Sequence, residues 1–214
     1  MTAWIDLTML LIIVSNLALL GTSRLTTVVR LTACQGLILG GLPAMLEWET
    51  LSTHTLPFSL AAMAVKGVIF PWLLHRTLVQ VKVRREIDPY LGYGFSMLMG
   101  LMGLVLALWL ETKLRLPPSA GSGLAFSAGF SAFVSGFLLI VTRHKAITQV
   151  VGYLAAENGI FLLGAALAPP GAVWVELCVL LDLFVAVFVM GIAIHHISRA
   201  FDSIDVDLFT SIRD

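Results

Sequence analysis

Three ionisable side chains stand inside runs that are otherwise apolar: Lys66, Glu157 and Asp182. An amine and two carboxyls in such positions point to proton chemistry, because each can bind H⁺ and hand it to a neighbour or to water. If the runs cross a bilayer at about 1.5 Å per residue, Lys66 lies ~15 Å, Asp182 ~14 Å and Glu157 ~16 Å from a helix end. All three then fall near the midplane. A charge there costs roughly 2.5–3.5 kcal/mol, and three unpaired ones would cost on the order of 8–10 kcal/mol, which rivals the stability of a whole domain. Such groups are therefore expected to face the protein interior, to pair, or to exchange their charge for a proton. One of them alone reads equally well as a static ion pair or as hydrogen-bonded glue between helices. Three at one depth, of both signs, favour a proton or ion path.

A second tier of polar residues surrounds them. Arg30 and Gln35 in the second span, His75 in the third and Gln149 in the sixth are candidates to carry water between the midplane and the inner side. The competing reading for each is a snorkelling or helix-bridging side chain. Cys34 and Cys178 lie in apolar runs and read as small hydrophobes. No iron–sulfur, zinc or haem motif is present, so neither a metal nor a cofactor is expected, and redox chemistry is assigned to another subunit. No catalytic residue is singled out either.

The elements that must position these groups follow from composition. Of 214 residues 58% are hydrophobic and 12% charged, about half the charge of a soluble domain, so most of the surface needs a solvent other than water. Balanced charge, with Lys+Arg 13 and Asp+Glu 13, leaves no basic surplus for nucleic acid. Cutting the chain at its charged and Pro/Gly-rich interruptions predicts seven transmembrane helices: Ile5–Gly21, Leu25–Leu46, Leu56–Val81, Tyr90–Leu110, Ala120–Val141, Ala146–Ala168 and Val173–Ser198. Asp6 sits where a cleavable signal would be basic, so the first run reads as a retained helix. Short connections argue against a self-contained enzyme.

Orientation follows from the cations. Arg24, Arg30, Arg76, Lys82, Arg84, Arg85, Arg143, Lys145, Arg199 and Arg213 fall to one set of loops and helix ends, and Lys113 and Arg115 to the other. That asymmetry predicts the N-terminus outside and the C-terminus in the cytoplasm.

The stretch Thr142-Arg143-His144-Lys145, the run Gly152-Tyr153-Leu154-Ala155-Ala156-Glu157-Asn158-Gly159-Ile160-Phe161-Leu162, the segment Leu181-Asp182-Leu183-Phe184 and the tail Phe201-Asp202-Ser203-Ile204-Asp205-Val206-Asp207 carry a family likeness. Together they resemble hydrogenase-4 component E. From about Phe126 the chain is also similar to the K subunit of bacterial NADH-quinone oxidoreductase and to the C subunit of multisubunit sodium/proton antiporters. The resemblance implies N-terminal helices of hydrogenase type over residues 1–125 and a K-subunit-like part with an acidic cytoplasmic tail over 126–214. It implies an inner-membrane subunit of a prokaryotic complex, set between antiporter-like pumping subunits and a quinone- or hydrogenase-linked membrane subunit. In K-type relatives two glutamates on adjacent helices form part of a lateral proton path. Glu157 and Asp182 match them in helix order, with Asp182 one methylene shorter and Glu157 about a turn later after the preceding glycine. Lys66 has no K-type counterpart. Two other functions stay open, a non-pumping scaffold subunit of such a complex and a stand-alone ion transporter.

Overall fold

In the computed structural model, residues 2–46, 55–81, 89–114 and 123–167 are described. They belong to one compact unit, Met1–Val179, and are almost wholly helical. The order is α1 (Thr2–Gly21), α2 (Leu25–Leu46), α3 (Thr55–Ala64), a π-helical turn (Val65–Ile69), α4 (Phe70–Val81), α5 (Tyr93–Lys113), α6 (Ala125–Thr142) and α7 (Ala146–Leu167). α3, the π turn and α4 form one continuous span. Among the described residues six spans are long and apolar enough to cross a membrane, and the chain is a multi-pass membrane protein. The seventh expected span, Val173–Ser198, lies outside the described residues.

Several predicted helix ends differ from those observed. α5 starts at Tyr93, because Tyr90 donates its N–H to the Thr142 carbonyl and Gly92 has extended backbone. It then runs on to Lys113, since Glu111 and Thr112 are compatible with helix. α6 starts at Ala125, after a turn at Gly123–Leu124, where glycine weakens helix formation.

The tightest packing joins α6 to α7. A Cβ on Gly136 would overlap the backbone of Gly152 and Ala156, and one on Gly159 would overlap that of Phe133. Glycine is the residue that lets two backbones meet this closely, the usual device where lipid supplies no hydrophobic drive between helices. Around this seam Ile5, Met9, Ile12 and Ile13 of α1, Leu39 and Leu42 of α2, and Phe161, Leu162 and Ala166 of α7 form the apolar core with Ala125, Phe126 and Ala128. α5 is built inside out. It buries Ser96, Gly100, Gly103 and Ala107 and exposes Leu98, Met102, Val105 and Trp109. Small residues thus face the bundle, and large apolar ones face lipid or a neighbouring subunit.

Candidate functional site: a buried Lys66–Glu157 pair

The π turn is a local consequence of sequence. Pro71 has no N–H to give the carbonyl of Gly67, and its ring crowds the preceding turn. One turn earlier the ladder widens, with Phe70 donating to the Val65 carbonyl five residues back. Lys66 sits in this widened turn and is pressed against α2. A Cβ on Gly36 would overlap the Lys66 carbonyl, so glycine there admits the wider coil.

From that position the Lys66 ammonium reaches α7. Its Nζ lies 3.0 Å from Glu157 Oε1, with both side chains more than nine-tenths buried. The same nitrogen donates to Asn158 Oδ1 at 3.5 Å and lies 5.6 Å from the centroid of the Phe161 ring. Glu157, Asn158 and Phe161 can all meet one partner because positions three and four apart share a helix face. Gly152 and Gly159 are taken up by α6. Each charge offsets part of the cost of burying the other, and removing either one alone would leave the second uncompensated. Transfer of one proton from Lys66 to Glu157 turns the ion pair into a neutral amine and carboxylic acid without moving a heavy atom. At 3.0 Å that transfer needs no intervening water.

The other sequence-selected residues are placed as follows. Gln35 is buried beside Gly36 and donates through Nε2 to Ser15 Oγ at 2.7 Å and to Asn16 Oδ1 at 2.9 Å. Gln149 is half-buried and donates to the Arg143 carbonyl at 2.9 Å, which ties down the first turn of α7. Arg30 and His75 are exposed, and the structure does not bring them to the pair. Asp182 lies outside the described residues.

Sequence reasoning missed two features. Arg143, read as a loop cation and as part of the Thr142–Lys145 stretch, is 1% exposed. It donates to the Leu20 carbonyl at 2.7 Å, and its guanidinium stacks 4.3 Å from the Tyr93 ring centroid, closing the end of α1. Asn158 was legible only as a motif neighbour of Glu157, although it also binds Lys66. Further polar groups line α6, where Ser127 donates to Glu111 across the α5–α6 contact and Ser131 and Ser135 are fully buried.

A helical, multi-pass bundle with a buried ion pair defines the class of protein: a polytopic membrane protein with ionisable groups in its interior. Within that class the chain is similar to hydrogenase-4 component E of Escherichia coli K12 and of Shigella flexneri, at 27% identity over 183 residues, which is 85% of this chain and 84% of each relative. The resemblance read from the sequence is borne out over most of both lengths. The chain is likewise 27% identical over 206 residues to an uncharacterized protein of Mycobacterium tuberculosis, 95% of this chain and 93% of that one. No family model matches, and no solved structure matches.

Proposed function

We propose that this chain is a membrane-arm subunit of an energy-converting complex of the complex I and group 4 hydrogenase superfamily, in which Glu157, Lys66 and Asp182 move protons along the membrane plane. The observation that carries the reading is the Lys66–Glu157 pair, buried and 3.0 Å apart between the third span and α7. Similarity to a protein named as a component of hydrogenase-4 supports membership of a multisubunit complex. Antiporter-like pumping subunits and a quinone- or hydrogenase-linked membrane subunit are the neighbours this reading assigns. The bundle sits in the inner membrane of a prokaryote with its N-terminus outside. Residues 1–125 supply Lys66, and residues 126–214 supply the K-subunit-like carboxyls.

Electron transfer elsewhere in the complex shifts helices or water and biases the proton between amine and carboxyl. Glu157→Gln keeps shape and hydrogen-bonding capacity but cannot titrate. Measured per assembled complex, the variant is expected to lower proton translocation at least about tenfold, whatever the unpaired Lys66 costs in assembly. Unchanged translocation in that variant contradicts the reading. A second reading, in which the pair only fastens the third span to α7, draws support from the additional Lys66–Asn158 bond. It predicts that coupling per assembled complex stays intact and that only assembly suffers.

A further inference from the structure

Among the described residues, four buried polar atoms of α1, α2 and α6 have no hydrogen-bond partner: Asn16 Nδ2, Gln35 Oε1, Ser131 Oγ and Ser135 Oγ. Their residues are 0 to 2% exposed. They belong to three helices, of which α1 packs against both α2 and α6. Asn16 lies one turn from Ile12, Ile13 and Leu20 on the buried face of α1. Ser131 and Ser135 lie with Ala128, Leu139 and Thr142 on one buried stripe of α6, while Gly129 and Gly136 take the stripe that meets α7.

α1 and α6 run in the same direction. Arg143, just after α6, bonds Leu20 near the end of α1, and Ile5 and Met9 share the core cluster with Ala125 and Phe126 at the other end. Asn16, one turn before Leu20, is therefore level with the stretch of α6 that follows Ser135. Gln35 is already bonded to Asn16 and is followed by Gly36, which abuts the backbone carbonyl of Lys66. Towards the Thr2 side of the bundle the stripe continues from Ser131 to Ser127, which donates to Glu111 near the end of α5.

A dry seam would leave two hydroxyls and parts of two amides unsatisfied in a low-dielectric interior. Water meets such groups when a site offers two to four polar partners, and hydroxyls one helical turn apart, about 6 Å, are spaced for one water between them. We infer that Gln35, Asn16, Ser135, Ser131 and Ser127 hold a file of internal water between α1, α2 and α6 that joins the Lys66–Glu157 pair to Glu111. The file gives the proton path a branch toward the Thr2 side of the membrane. A proton enters at one end, each water passes on one of its own, and H⁺ leaves at the other end with no net chemistry. The branch rests on the relay reading above, whereas the water file does not.

Radiolytic footprinting of the assembled complex tests the file, because X-rays make hydroxyl radicals from bound water in place and cysteine is their most reactive target. The Ser135→Cys variant is expected to be oxidised roughly tenfold faster than Leu162→Cys, whose site is equally buried but lined by apolar side chains that stay dry. Equal rates overturn the inference. For the branch, Ser131→Val removes the hydroxyl and Ser131→Thr keeps it, so translocation is expected to fall severalfold in the first and to persist in the second. Equal translocation in the two variants overturns the branch. Failure of the relay reading shows separately, as full translocation in Glu157→Gln, and leaves the footprinting result standing.

Discussion

At the scale of single residues the chemistry turns on what burial does to charge. Lys66 and Glu157 are tolerable together and costly apart, so Lys66→Met should leave an uncompensated carboxylate and destabilise the chain by about 3–5 kcal/mol, read as loss of the subunit from the purified complex. The double variant Lys66→Met with Glu157→Leu removes both charges and should recover assembly without recovering translocation. If the single variant assembles normally, the pair is not the electrostatic unit described here. Both members were legible in the sequence as charges in apolar runs, because a midplane charge is expensive whatever surrounds it. Their pairing was not legible. It depends on the rotation of α7 and on the register that sets the π turn against Gly36, and although Pro71 and Gly36 stand in the sequence, neither says which helix the other will meet. Gln149 shows the converse. A polar residue inside an apolar run invites a role in transport, yet its amide serves the Arg143 carbonyl at the helix start.

At the scale of elements, apolar length read out the six described spans to within a few residues, since a bilayer demands about twenty residues of helix each time. Helix ends escaped that logic where a local hydrogen bond decided them, as Tyr90 to Thr142 does before α5. The mutual register of the α6 and α7 glycines was not readable from either helix alone. Because Gly136 abuts the backbone of Gly152 and Ala156, Gly136→Val must push the helices apart. Overpacking of this kind costs about 1–3 kcal/mol or more, and a drop in the thermal midpoint of the purified complex measures it. A midpoint unchanged from wild type would mean that α6 and α7 do not pack as described. The Arg143 bond to Leu20 and its stacking on Tyr93 clamp three helices at one end. Arg143→Gln is therefore expected to lower the midpoint further than Lys145→Gln, since Lys145 is exposed.

At the scale of the whole molecule, the uneven distribution of cations sets a testable orientation. Reporter fusions after Gly123, in the connection before α6, should register the outer side, and fusions after His144 the cytoplasm. The opposite pattern would invert the direction assigned to the path. The exposed apolar face of α5 suits lipid or a neighbouring subunit, and the chain is similar to a protein named as a component of hydrogenase-4. The central claim is narrow: Glu157 gains and loses a proton as the complex turns over. Infrared difference spectroscopy of the assembled complex, poised before and during turnover, reads protonated carboxyl groups directly through their C=O stretch. A carboxyl band that changes on turnover and disappears in Glu157→Gln is the expected result; difference spectra identical in the two proteins would contradict a titrating Glu157.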